Sequence, residues 1–257
     1  MFKLKDKRRL TQIAAFIISN LGFTRLLKTG FVCPFLYCYA CPLATFACPI
    51  GTLQNFVIYG QFPFLASGLI GIYGTLFGRA FCGWACPFGT LHDMLSPTKR
   101  RKEVKAPNYW YIKYTILFLT LALAWYALDT IFCKFCPSGS LFAAIPFRVL
   151  YPETGIGLPF YIHMLTLLLT CFLALLVSRF WCRYLCPFGA IAGVFNKVSM
   201  LTILRDETKC KKCNACLSEC VMGITNIEDV GNSTDCILCG RCIEACQEKA
   251  LSFGIKR

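Results

Sequence analysis

Histidine is scarce in this chain: His92 and His163 are the only two in 257 residues. They fall near opposite faces of the organisation derived below, which argues against a haem gripped by paired histidines at one depth. Acidic residues are sparse too, 13 against 27 Lys and Arg, and charged residues of both signs make up only 16%. From Phe31 to Gln61 there is no Lys, Arg, Asp or Glu at all. So little charge, with 56% hydrophobic residues, does not suit a soluble core and points to a membrane protein. Nucleotide-binding signatures are missing, with no Walker-type loop and no G-x-G-x-x-G after a strand. No small-residue cleavage site follows the basic first ten residues, so an uncleaved membrane helix is expected there rather than a signal peptide.

What the chain has in plenty is cysteine, 19 residues. The last fifth reads Cys210-Lys-Lys-Cys213-Asn-Ala-Cys216-Leu-Ser-Glu-Cys220, then Cys236-Ile-Leu-Cys239-Gly-Arg-Cys242-Ile-Glu-Ala-Cys246. Each run is C-x2-C-x2-C-x3-C, the spacing that wraps three thiolates around one [4Fe–4S] cube and sends the fourth to the other cube. Cys210, Cys213, Cys216 and Cys246 are therefore assigned to one cluster, and Cys236, Cys239, Cys242 and Cys220 to the other. Val221 and Gln247 stand where a proline usually follows the fourth cysteine. A disulfide scaffold or zinc sites would not need the full four-cysteine spacing twice.

The net charge of +14 lies entirely outside this tail. Residues 205–257 hold eight basic and eight acidic residues, and residues 1–204 hold nineteen and five. The basic excess gathers at Lys3, Lys5, Lys7, Arg8 and Arg9, and at Lys99, Arg100, Arg101, Lys102 and Lys105. Beside apolar spans this reads as positive-inside topology rather than nucleic-acid binding. Four spans are expected: Leu10–Leu27, Phe62–Phe77, Tyr109–Leu128 and Phe160–Val177. The first is short and carries Arg25 at its far end, so an interfacial helix is its alternative. Gly68, Gly71, Gly74 and Gly78 offer a small-residue packing face on the second. A Pro- and Gly-rich loop from Pro146 to Pro159 leads into the fourth.

Residues 10–95 and 109–198 repeat one pattern: span, outer cysteines, span, then an inner Cys-x3-Cys-Pro. A Cys-Pro-x-Gly element occurs four times, at Cys48, Cys86, Cys136 and Cys186. Proline suits the first position of a helix, so each cysteine is expected at a helix N-terminus, where the dipole favours a thiolate.

Phe81-Cys82-Gly-Trp-Ala-Cys86-Pro, Trp181-Cys182-Arg-Tyr-Leu-Cys186-Pro-Phe-Gly-Ala190 and the eight-cysteine tail resemble the NapH/NosR type of membrane polyferredoxin. The likeness runs from Arg8 to the end. It implies electron transfer between the quinone pool or cytoplasmic donors and periplasmic redox enzymes. The chain lacks the large flavin domain of the NosR branch and adds outer cysteines that a NapH-like protein need not have.

Two halves with one direction bring equivalent motifs to equivalent depths. Cys82 and Cys86 should then face Cys182 and Cys186, a complete ligand set for an inner-face cluster, with four buried thiols that merely pack as the alternative. The outer set, Cys33, Cys38, Cys41, Cys48, Cys133 and Cys136, can supply a further cluster from Cys133 and Cys136 plus two or three of Cys38, Cys41 and Cys48. Disulfides are the alternative there. Lone Cys171 is read as a small core hydrophobe. His92-Asp93, next to the inner cysteines, is a candidate for quinol proton transfer, against the plainer reading of a solvated pair.

The expected architecture is thus an α-helical membrane domain over 1–204, with four transmembrane helices in two parallel pseudo-repeats. A 2[4Fe–4S] ferredoxin-like α+β domain follows over 205–257. It sits in the cytoplasmic (inner) membrane of a prokaryote, with the N-terminus and the ferredoxin-like domain cytoplasmic. The expected function is passage of single electrons between a cytoplasmic partner, such as ferredoxin or a flavoprotein, and a partner in or across the membrane. The chain would serve as one subunit of a redox complex rather than a stand-alone enzyme. The rivals are a quinone-coupled subunit with clusters only on the cytoplasmic side, and a cluster-based sensor or assembly protein. No nucleic-acid partner is expected.

Overall fold

The computed structural model describes residues 4–22, 28–40, 43–96, 109–153, 155 and 157–256. Lys3, Arg25, Cys41 and the basic run Lys99–Lys105 lie outside the described residues. The first half holds α1 (Leu4–Ser19), α2 (Pro49–Ile58), α3 (Phe64–Phe77), α4 (Ala80–Trp84) and α5 (Pro87–Leu95). The second holds α6 (Ile112–Ala127), α7 (Ile131–Phe135), α8 (Pro137–Gly139), a π-helical stretch Ser140–Ala144, α9 (Ile145–Leu150), α10 (Leu158–Leu176), a π-turn Trp181–Leu185 and α11 (Pro187–Phe195). The tail adds β1 (Leu201–Arg205), α12 (Ala215–Ser218), α13 (Arg241–Ala245) and β2 (Leu251–Ile255). β1 and β2 pair antiparallel from Leu201↔Ile255 to Arg205↔Leu251, so this strand pair straddles the expected 204/205 division.

The helices are patterned inside out. On α1 the buried residues are Arg8, Gln12 and Ser19, whereas Leu10, Ile13, Phe16, Ile17 and Ile18 face outward. On α3 the buried stripe is Ala66, Ile70 and Gly74; on α10 it is Leu167, Thr170 and Ala174, with Leu165, Leu168, Leu169, Phe172 and Leu175 exposed. Small and polar side chains inside and a broad apolar face outside reverse the soluble pattern.

Among the described residues one helix, α10, is long and apolar enough to cross a membrane; α3 and α6 are apolar but shorter. At 1.5 Å per residue α3 reaches only about 21 Å, short of a hydrocarbon core ~30 Å thick. The expected first span is shifted as well. α1 starts inside the basic run and ends at Ser19, because Arg8 and Gln12 are inward-facing helix residues rather than a tail.

Two local expectations are corrected. A Cβ placed at Gly68 or Gly71 would meet nothing outside the helix within 4 Å, whereas one at Gly74 would run into Phe195 and one at Gly78 into Asn196 and Ser199. The segment after Cys136 is helical to Leu150 despite Pro146. Pro146 stands near the start of α9, directly after the π-helical stretch Ser140–Ala144.

Candidate iron-sulfur centres

All four Cys-Pro steps open a helix. Cys48, Cys86, Cys136 and Cys186 are the N-cap residues of α2, α5, α8 and α11, each in extended backbone with proline next. At α5 and α11 the turn closes on sulfur: Gly89 N–H donates to Cys86 Sγ at 3.4 Å, and Gly189 N–H to Cys186 Sγ at 3.3 Å. Cys82, on α4, and Cys182, in the π-turn, precede them by four residues. All four thiols are buried. Cys86 feels Cys82 and Cys182 electrostatically, and Cys186 feels Cys182 and Cys82. Burial first, outweighing the nearby guanidiniums, pushes Cys182 up to about 11. Sulfur in such surroundings becomes thiolate when a metal takes it as a ligand.

Two arginines lace the halves together. Arg79 and Arg179 each stand three residues before the first cysteine of their Cys-x3-Cys. Each reaches across to the other half: Arg79 Nη2 donates to the Cys182 carbonyl at 3.0 Å, and Arg179 Nη1 to the Cys82 carbonyl at 2.7 Å. Gly189 and Gly89 make room for them, since a Cβ there would stand 2.7 Å from Arg79 Nη2 and 3.2 Å from Arg179 Nη1. Arg179 also grips Asp93 with two hydrogen bonds, 2.9 and 2.6 Å, and Arg8 pairs with the same carboxylate. Asp235, beside Cys236, pairs with Lys113 and lies 3.7 Å from Arg79. Burial by itself would raise Asp93, but Arg179 and then Arg8 outweigh it and hold the carboxyl well below its usual range. Asp93→Asn should cost about 3–5 kcal/mol, because it strands buried guanidinium charge. The check is an earlier midpoint for heat-induced loss of iron–sulfur absorbance.

The tail is seated on this site. Cys236, Cys239, Cys242 and Cys220 line one small cavity, with Cys242 in electrostatic reach of the other three. Cys216 is in reach of Cys210 and Cys213, and Cys246 Sγ accepts from Ala250 N–H at 3.3 Å. Trp84 Nε1 donates to the Leu238 carbonyl at 2.9 Å. A Cβ on Gly83 would overlap the Ile237 carbonyl oxygen, so backbone meets backbone between Cys82 and Cys239. Arg179 is in electrostatic reach of Cys239 as well as Cys182.

The outer cysteines converge from both halves. Cys38 and Cys48 of the first half and Cys133 and Cys136 of the second line one cavity of about 400 Å³, with Tyr37 and Phe132 also in its wall. Cys136 is in electrostatic reach of Cys48, Cys38 and Cys133. Cys41, the other candidate, lies outside the described residues. Cys33 stands apart from that wall: its thiol donates to the Phe35 and Ala47 carbonyls, and it is in reach of both Cys48 and Cys86. Among the described residues no disulfide joins any of these cysteines, nor Cys171 on α10 or those of the tail. Trp181 bridges toward this side, its ring 6.4 Å from Phe88 and 6.3 Å from Phe132.

His92 and Asp93 are not a solvated pair. His92 is 1% exposed with neither ring nitrogen hydrogen-bonded among the described residues, and Asp93 is locked to arginine. Burial, then Arg179, pushes His92 down to about 4, which leaves a neutral imidazole at pH 7.

Two family models, each described as a 4Fe-4S binding domain, match the chain, one over residues 59–105, 112–146 and 159–205 and the other over 230–252. An uncharacterized protein of Methanocaldococcus jannaschii, MJ0750, is 31% identical over 218 residues, covering 80% of this chain and 85% of the relative. The ferredoxin-type protein NapH of Escherichia coli is 28% identical over 222 residues, 80% of this chain and 73% of its own. The regulatory protein NosR of Pseudomonas aeruginosa is 27% identical over 205 residues, 74% of this chain but 26% of its own. The chain belongs to the NapH/NosR-type polyferredoxins. No solved structure matches. As a polyferredoxin it holds several [4Fe–4S] clusters and works in iron–sulfur electron transfer. The donor chemistry fits the cofactor: buried thiols at helix N-termini, amide hydrogens on sulfur, and more buried cations than carboxylates. When bound, the clusters supply one-electron storage.

Proposed function

We propose that this polyferredoxin is a four-span membrane subunit that moves single electrons along a row of four clusters. The row runs from a cytoplasmic partner to a partner in or across the membrane. The order would be the Cys210/Cys213/Cys216/Cys246 cluster, then Cys236/Cys239/Cys242/Cys220, then Cys82/Cys86/Cys182/Cys186, then an outer cluster on Cys38, Cys48, Cys133 and Cys136. The observation that carries this reading is continuity. The tail's Ile237–Cys239 backbone rests on Gly83, between two ligands of the third cluster. Cys33 and Trp181 span the interval between the third and fourth sets.

The inside-out helices support a lipid surrounding, with 1–204 as the membrane domain and the tail as a cytoplasmic domain in a prokaryotic inner membrane. The outward apolar faces of α1, α3 and α10 have no soluble rationale at that extent. Clusters at two depths divide a crossing too wide for one electron step. The chain's own groups do the positioning: helix N-caps aim the thiols, amides of Gly89 and Gly189 fix two of them, and the arginines hold the paired loops together.

Iron per chain on anaerobically purified protein, with EPR of the reduced sample, tests the reading. About sixteen irons are expected for four cubes. About twelve would leave the outer cysteines as thiols and favour a quinone-coupled subunit, and about eight would confine metal to the tail and end the proposal.

A further inference from the structure

Four buried cations, Arg8, Arg79, Lys113 and Arg179, share two carboxylates, Asp93 and Asp235, around the Cys82/Cys86/Cys182/Cys186 site. Arg183, buried in the π-turn between Cys182 and Cys186, and Arg241, about one third exposed and 3.7 Å from Asp93, add further positive charge. Buried charge in excess is costly unless something of opposite sign sits beside it. A cube with four thiolates is such a group, and each one-electron reduction adds a further negative charge to it.

The two carboxylates do not neutralise the arginines equally. Arg179 is clamped by Asp93 through two short hydrogen bonds. Arg79 has no such clamp: its carboxylate contact is 3.7 Å long, and Asp235 is already engaged by Lys113. Arg79 spends its hydrogen bonds on the carbonyls of Cys182 and Thr234. Its Nε, fully buried, has no acceptor among the described residues, and neither has Trp181 Nε1 beside Cys182. Arg79 is in electrostatic reach of Cys82, Cys186 and Cys182.

We infer that Arg79 sets the reduction potential of the inner cluster, its weakly neutralised guanidinium stabilising the extra negative charge of the reduced state. The inference rests on the four-cluster reading. It makes Arg79 a tuning residue that holds the inner cluster above the potential its burial would otherwise give it. Net charge and hydrogen bonds to sulfur are the protein's levers on such a cluster. Electrons leaving the tail would then find the next site favourable rather than uphill.

The test is an EPR-monitored redox titration of the full-length holoprotein, with the inner-cluster signal identified as the one missing from Cys86→Ser. Arg79→Gln should cut the reduced-to-oxidised ratio of that cluster at least tenfold at fixed ambient potential. For a one-electron centre this is a fall in midpoint of about 59 mV. Arg79→Lys, which keeps the charge, should recover most of it. Asp235→Asn, which frees the same guanidinium from its anion, should move the midpoint the other way. It also gives a reading should Arg79→Gln fail to load. An unchanged inner midpoint in a fully loaded Arg79→Gln, or a fall in Asp235→Asn, would overturn the inference. If wild type lacks the inner signal altogether, the four-cluster reading itself has failed.

Discussion

Cys86→Ser should leave a protein with about twelve irons instead of about sixteen, both tail clusters intact, and no onward transfer to an outer acceptor. The expectation follows from where Cys86 sits. It is buried at the N-cap of α5, its sulfur held by the Gly89 amide, in reach of Cys82 and Cys182. Serine keeps the cap and the size but not the soft ligand. The tail has its own cysteines, its own strand pair and its own small core around Ile203, Ile224 and Leu238, so its clusters should still load and reduce. The readout is stopped-flow reduction from the cytoplasmic side with dithionite-reduced ferredoxin as donor. Fast bleaching of the tail clusters should persist, and reduction of the outer cluster should vanish. Onward transfer at the wild-type rate would remove the inner site from the path.

Gly83→Val should do the reverse, keeping every iron and breaking the connection. A side chain at Gly83 runs into the Ile237 carbonyl oxygen, with the Cys239 Cα 3.4 Å away, and backbone cannot swing aside as a flexible side chain would. Overpacking of this kind costs about 1–3 kcal/mol. Here it falls on the contact between the tail and the membrane half, so the tail should lift off before either part unfolds. The expected result is full iron content with slowed electron transfer from the tail clusters to the inner one. Gly68→Val is the control: α3 carries a glycine there with nothing within 4 Å, and transfer should be unchanged. Equal rates in both variants would mean that the Gly83 contact does not carry electrons.

The cysteine framework was legible because its chemistry is local. Cys-Pro-x-Gly states a helix N-cap within four residues, and all four occurrences became one. The repeat also suggested which cysteines to compare: Cys86 and Cys186 are each in electrostatic reach of Cys82 and Cys182, and Cys38, Cys48, Cys133 and Cys136 line one cavity, while the clusters they would hold belong to the proposal. The helix starts did not follow from the repeat. Counting Arg8 with the basic run ahead of the expected first span placed the start of α1 too late, and α1's inward face is polar because it meets Asp93 and the Gly83 carbonyl. Pro146 suggested a loop, but it stands near the start of α9, directly after a π-helical stretch. The arginines were missed although the signal was present. Arg-x2-Cys-x3-Cys-Pro occurs in both halves at the same offset, but each arginine was passed over as the residue between an apolar span and its cysteines. Buried guanidiniums that answer to the opposite half are a tertiary fact.

The crossed arginines also set a clock on biogenesis. The Cys82 carbonyl waits for Arg179, 97 residues further along the chain. The Cys182 carbonyl and its own arginine close a loop of 103 residues, and Arg79 is completed only by Thr234, 155 residues on. At synthesis speeds of about 5–20 residues per second, the first pair of thiols spends roughly 5–20 s with neither its partner loop nor its guanidinium in existence. Iron delivered during that interval would meet half a site. Loading of the inner cluster is therefore bound to a stage after both halves have been made and have met.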